Sequence, residues 1–176
     1  MEGMEKIKRA SRRLGLVFRW AIPLTPGLVA LFWYLVGQNN LIERQLPVSL
    51  DPGLPPLAKV GGFAVSMLPG AVLMYILYQL GKLFRLYEQG SFFTRANVAI
   101  FHRLGWSTVA WVAGDFLHTV GLGIVLTLHR PAGQRLLVVN FTSEQALGVL
   151  AGLVLLTISW VMDEARKIEE EQALII

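Results

Sequence analysis

The sequence predicts an all-α membrane protein built as a four-helix transmembrane bundle. Three observations predict it. First, 54% of the 176 residues are hydrophobic and only 16% are charged. A soluble domain is about 25% charged, and a chain this short cannot hide so much apolar surface in one core. Second, four segments each approach the 20 or so apolar residues that about 30 Å of hydrocarbon demands. Third, Lys and Arg gather on one side of those segments. Composition excludes a disordered chain, a disulfide scaffold and an ordinary cytosolic domain. The absence of Cys also removes thiol chemistry and Cys-ligated metals.

Span one covers residues 14–36. The basic residues Lys6, Lys8, Arg9, Arg12 and Arg13 precede it, as they would a secretory signal. The apolar run 20–36 is longer than a signal core and ends at Gly37-Gln38-Asn39-Asn40 without a small-x-small cleavage pattern, so an uncleaved span is expected. Arg19, one turn inside, can snorkel to the surface. Span two covers 60–81, between Lys59 and Lys82, and carries no charge. Span three covers 104–128 and carries Asp115 and His118. Span four covers 145–162, between Glu144 and Asp163. Pro23, Pro26 and Pro69-Gly70 interrupt spans one and two where kinks are expected.

Orientation follows from the cations. Twelve Lys and Arg fall in the N-terminal segment, the connector between spans two and three, and the C-terminal tail. Four (Arg44, Lys59, Arg130, Arg135) fall in the other two loops. Both ends are therefore expected in the cytoplasm. The same rule accounts for the net charge of +4 without direct nucleic-acid binding.

The two outer loops carry short β-prone stretches. Leu46, Val48 and Leu50 alternate with polar or turn residues, and Leu136-Leu137-Val138-Val139 follows a Pro131-Ala132-Gly133 turn. These either pair as a small external two-stranded β element or stay irregular. In the connector, Gly90-Ser91 reads as a helix stop and Thr94 as an N-cap, so the flanking helices should end near Gln89 and begin near Arg95. Phe92 and Phe93 are expected at the lipid boundary or beneath the bundle. The tail beyond Met162 should continue span four as a charged helix.

The run Tyr87-Glu88-Gln89-Gly90-Ser91-Phe92-Phe93-Thr94-Arg95-Ala96-Asn97 resembles a G-x-x-F-T-x-x-N signature. That signature lies between spans two and three of a bacterial four-span membrane family, catalogued as domain of unknown function number 2975. The ending Arg166-Lys-Ile-Glu-Glu-Glu-Gln-Ala-Leu-Ile-Ile is similar to that family's basic, E-E-x-x-L-T-V terminus, with Ile175 in place of the Thr. The resemblance runs over the whole chain. It implies the cytoplasmic motif residues Glu88, Gly90, Phe93, Thr94 and Asn97, and no established activity. Genes of the family often neighbour a small helix-turn-helix regulator, which implies a membrane partner for such a protein.

Among single residues Asp115 says most. It lies about 16 Å into span three at 1.5 Å per residue, where an acid costs about 2.5–3.5 kcal/mol on insertion scales and faces the bundle interior. Helical spacing puts Thr108, His118 and Thr119 on its face, with His118 the natural partner. Thr25 and Tyr75 are candidate partners across helices. The pair can handle a proton, ion or ligand, or it can simply fix packing through hydrogen bonds averaging about 0.6 kcal/mol. A metal is disfavoured, since Asp-x-x-His supplies only two ligands. His102 and His129 read as interfacial.

Gly148 and Gly152 form G-x-x-x-G in span four, and Gly114 belongs to a small-residue face of span three. These are packing positions, used within the bundle in preference to a homo-oligomer. No phosphate loop, zinc motif or nucleophile elbow is present, so neither an enzyme nor a cofactor is expected. Two functions follow from the sequence. The first is a regulatory protein docking a cytoplasmic partner through connector and tail. The second is a small transporter or channel-like protein using Asp115 and His118.

Overall fold

The computed structural model describes residues 2–36, 38, 40–44, 46–48, 54–131 and 133–173. It contains α1 (Glu2–Leu35), the short α2 (Asn40–Glu43), α3 (Pro56–Glu88), α4 (Arg95–Thr127) and α5 (Ser143–Ala173). The four long helices are each long and apolar enough to cross a membrane, which makes this a multi-pass membrane helix bundle. At 33 residues, α3 and α4 are each about 50 Å long, so both outrun the hydrocarbon.

Packing is sequential. α1 packs on α3, α3 on α4 and α4 on α5, and among the described residues no other pair of long helices makes comparable contact. The four helices therefore form an open row, with α1 and α5 at its edges. Both chain ends meet the connector at one end of the row. Arg12 pairs with Glu88 at 3.9 Å and Arg95 with Glu170 at 3.3 Å.

The connector is a tight turn whose every step has a cause. The Ser91 N–H donates to the Leu86 carbonyl and the Gly90 N–H to the Tyr87 carbonyl. Gly90 sits at φ 76°. This is the left-handed glycine stop that satisfies the last carbonyls of a helix. Thr94 then caps α4, its hydroxyl accepting from the Asn97 N–H at 3.4 Å. Asn97, fully buried, donates from Nδ2 to the Ser91 carbonyl at 2.9 Å and locks the turn. The observed helix limits, Glu88 and Arg95, fall where the stop and cap residues predict. Phe92 stacks on Tyr87 with ring centroids 5.3 Å apart, while Phe93 points outward, 65% exposed.

At the opposite end Trp33, Val36, Leu122 and Leu126 form a buried cluster, covered by Ile42 and Leu46 of the first loop. The Lys59 ammonium donates to the Val36 carbonyl at 2.6 Å, closing the end of α1. The external β element is not found: the described residues contain no strand. Residues 46–48 bend over the cluster, and Val48 is buried there; Leu50 lies outside the described residues. Residues 134–142 form neither helix nor strand, and a backbone donor among them turns to α4. The Leu136 N–H donates to Thr127 Oγ1 at 3.1 Å, and the backbone at Leu136 and Val138 lies against Gly123. The physical reason is local. Pro47 lacks a ladder donor, α4 supplies a better partner, and a lone two-stranded ribbon is marginal.

Candidate intramembrane polar site

Asp115 stands midway along α4 between Arg103 and Thr127, about 18 Å from each. Its Oδ2 accepts from Gln145 Nε2 at 2.8 Å. Gln145, 1% exposed, belongs to the first turn of α5, and its geometry follows from a reciprocal cap. The Gln145 N–H donates to Thr142 Oγ1 at 3.3 Å, and the Thr142 N–H donates to Gln145 Oε1 at 3.1 Å. Thr-x-x-Gln is the capping-box pattern. Because the cap takes the amide oxygen, the amide nitrogen is the end left to aim at Asp115. The positive end of the α5 macrodipole also comes beside this acidic side chain, the favourable arrangement.

α5 consequently begins level with Asp115, and residues 134–142 run beside the remaining turns of α4.

A second string of hydrogen bonds approaches from the other side. Trp33 Nε1 of α1 donates to Ser66 Oγ of α3 at 3.0 Å, and Ser66 Oγ lies 3.1 Å from His118 Nε2. An indole nitrogen only donates, whereas a hydroxyl both donates and accepts, so Ser66 relays between the indole and the imidazole. Gly62, one turn before Ser66, makes this possible: a Cβ there would collide with the Trp33 ring. Polar side chains from all four long helices thus converge on one turn of α4, between Asp115 and His118.

Asp115, His118 and Ser66 also line a cleft of about 600 Å³ between α1, α3 and α4. Its other walls are mostly apolar, including Phe32, Leu73 and Trp111, and Pro69-Gly70 lies on its α3 side. That volume suits a small-molecule pocket with a few placed polar groups.

The sequence-predicted residues sort as follows. Asp115 and His118 share the site, but the acid bonds Gln145 and the ring bonds Ser66. Thr119 lines the cleft, though its hydroxyl donates to the Asp115 carbonyl at 3.2 Å, and that of Thr108 to the Leu104 carbonyl at 2.9 Å. Thr25 also lines the cleft, with its hydroxyl on the Ala21 carbonyl. Tyr75 is exposed. Glu88, Gly90, Thr94 and Asn97 lie at or beside the connector turn, far along α4 from Asp115. Gly148 and Gly152 face α4, where added Cβ atoms would meet Val112 Cγ2 at 2.6 Å and the Gly105 carbonyl oxygen at 3.0 Å; Gly114 faces Pro69 on α3. Trp33, Ser66 and Gln145 escaped the sequence reading. Thr142-x-x-Gln145 was a usable signal for the last, and Gly62-x-x-x-Ser66 a weaker one. Among the described residues no three His, Cys, Asp or Glu side chains gather as a metal site.

No curated protein and no solved structure matches this chain. A family model described as "Protein of unknown function (DUF2975)" matches residues 19–176. That match takes in α1 from Arg19 onward, the other three apolar helices, the connector turn and the Asp115 layer, and the chain belongs to the DUF2975 family.

Proposed function

We propose that this protein is a small transporter- or channel-like protein of the bacterial inner membrane, with both ends cytoplasmic. In this reading it admits a small cation, or a proton, to the cleft at Asp115. One observation carries the reading: a cleft of about 600 Å³ among the apolar helices has Asp115 and His118 on its wall. An acid within an apolar span is costly and functional by default. Trp111 and Phe32 offer ring faces that attract cations, and Ser66 and His118 offer hydrogen bonds. The proposed role involves no bond chemistry. The test is flux in liposomes holding the purified protein, read with a lumenal pH dye and with a fluorescent aromatic cation. Asp115→Asn is expected to lower flux at least about tenfold, the scale of one lost hydrogen bond to a charged group. Absent flux in the wild type, or equal flux in the variant, overturns the proposal.

A second reading, a docking surface for a cytoplasmic partner such as a small helix-turn-helix regulator, draws support from Phe93 alone. That side chain is 65% exposed and its backbone sits at φ 57°, a conformation that costs a non-glycine residue energy and often marks function. Gly90, Thr94 and Asn97 build the turn itself, so the motif argues less for docking than its sequence did. Co-purification with the neighbouring regulator, with and without the chain beyond Met162, tests it. No association in either form ends this reading.

A further inference from the structure

A second cleft, remote from Asp115, opens between α1 and α3 at the connector end. It holds about 500 Å³, with Arg12, Arg19, Lys82 and Arg85 on its walls. Helical spacing explains the clustering. Arg12, Gly15 and Arg19 share one face of α1, while Tyr78, Gly81, Lys82 and Arg85 share the facing side of α3. The two glycines hold the cleft open: a Cβ at Gly81 would meet nothing within 4 Å, and one at Gly15 only Phe84 at 4.0 Å.

The charge here is not neutralised. Glu88 is the one carboxylate lining the cleft, and it meets Arg12 at a long 3.9 Å. Among the described residues Arg19, Lys82 and Arg85 make no ion pair; the Lys82 ammonium instead lies 4.4 Å from the centre of the Tyr78 ring. The corresponding cleft between α4 and α5 makes the contrast. Its Arg95 and Arg166 are engaged by Asp163 and Glu170, which leaves Arg103 as its one Lys or Arg without an ion pair among the described residues. Cations of one sign facing each other across a gap repel unless an anion sits between them.

The lining is amphiphilic. Arg19 lies about 10 Å deeper than Arg12 along α1, and below it Ile22 and Leu77 give the cleft an apolar floor. Trp20 beside Arg19 is highly exposed, and exposed Trp marks headgroup depth. Basic pockets between helices on the cytoplasmic side take anionic lipid headgroups. We propose that the α1–α3 cleft binds the phosphate of an anionic phospholipid, held by Arg19, Lys82 and Arg85, with an acyl chain along Ile22 and Leu77.

The test titrates phosphatidylglycerol and phosphatidylcholine against the full chain in neutral detergent, reading bound lipid by native mass spectrometry. The wild type is expected to bind phosphatidylglycerol at least about fivefold more tightly. The double change R19Q/K82Q is expected to lose about fivefold for each charge removed. The pair R9Q/R13Q, equal in charge but outside the cleft, is expected to bind as the wild type does. No headgroup preference in the wild type overturns the proposal, as does an equal loss in R9Q/R13Q, which would mean general membrane attraction. Inorganic phosphate that binds alone and displaces the lipid at millimolar concentration assigns the site to a soluble anion and overturns the lipid. Should R19Q/K82Q fail to fold, the wild-type headgroup comparison and the exposed single change Arg85→Gln decide.

Discussion

The two sides of α4 are built differently. Toward α5 it closes on glycines: a Cβ at Gly152 would stand 2.8 Å from Val109 Cγ2 and 3.0 Å from the Gly105 carbonyl oxygen, and one at Gly105 would meet the Gly152 carbonyl oxygen at 3.0 Å. Toward α3 it also packs closely near Gly121, where Cβ atoms at Gly61 and Gly121 would meet Val125 Cγ1 at 2.7 Å and Val65 Cγ1 at 2.8 Å, but around Asp115 it borders the cleft. Interhelical contact in lipid lacks a strong hydrophobic drive and relies on close approach and hydrogen bonds. The glycine side has both, so α4 and α5 should behave as one rigid pair. Around Asp115 the packing opens into the cleft, bridged by the Trp33–Ser66–His118 hydrogen bonds, so the cleft-lining turns of α1 and α3 are the parts free to adjust around a bound solute.

One substitution made on both sides tests this most strongly. Gly152→Ala forces a methyl group against backbone, for which overpacking costs about 1–3 kcal/mol, or roughly 2–12 °C in midpoint for a chain of this size. Gly114→Ala meets Pro69 at an ordinary 3.6 Å and is expected to stay within about 0.5 kcal/mol of the wild type. Thermal unfolding in one detergent compares them, and equal losses would break the distinction.

Gln145 comes next in size, because it joins the two sides. Gln145→Ala leaves Thr142 capping the residue-145 N–H but removes the side-chain acceptor of the Thr142 N–H, a hydrogen bond worth about 1 kcal/mol, together with the bond to Asp115, worth about 0.6 kcal/mol on average in membranes. A loss of about 1–2 kcal/mol is expected. Gln145→Glu keeps an acceptor for the Thr142 N–H but sets a second carboxyl against Asp115, so repulsion at neutral pH adds to the lost hydrogen bond and the contact at Asp115 is tested separately from the cap. A Glu variant as stable as the wild type would mean that the Asp115 contact adds nothing.

These positions also show what the sequence could reveal. The connector was readable because its stop, cap and lock are local: Gly90, Thr94 and Asn97 act within one turn of chain. The four spans were readable from apolar length, and Asp115 from its cost. The partners of Asp115 and His118 were not readable, since Gln145, Ser66 and, behind Ser66, Trp33 arrive from three other helices whose rotations no single-chain periodicity fixes. The β expectation failed for a related reason. Leu136 to Val139 have strand-forming side chains, but Thr127, distant in sequence, takes the Leu136 N–H, and strand propensity says nothing about which acceptor wins. The open row was equally out of reach, because span order does not say whether the fourth helix closes on the first.

The smallest effect lies where the α4–α5 pair leaves the membrane. Arg166 donates to Asp163 at 3.0 Å and to Glu170 at 2.6 Å, and Glu170 also accepts from Arg95 at the start of α4. The Arg166 hydrogen bond holds the Glu170 carboxyl below its ordinary 4.5, and hydrogen bonds from Arg166 and Lys167 hold Asp163 below 3.8. Lowered values fix the sign. The stabilisation is complete above the unfolded values and is lost as pH falls through the folded ones, so it fades only below about pH 4.5. Exposure to water and salt keeps it small. Hydrogen exchange at pH 6 and pH 3.5, corrected for intrinsic rates, is expected to show faster exchange of tail amides beyond Met162 at the lower pH. Amides around Gly105 and Gly152 should stay unchanged, because the glycine contact carries no titrating group. Acid loosening that reached those glycines would mean that the ion pairs, rather than close backbone packing, hold α5 to α4.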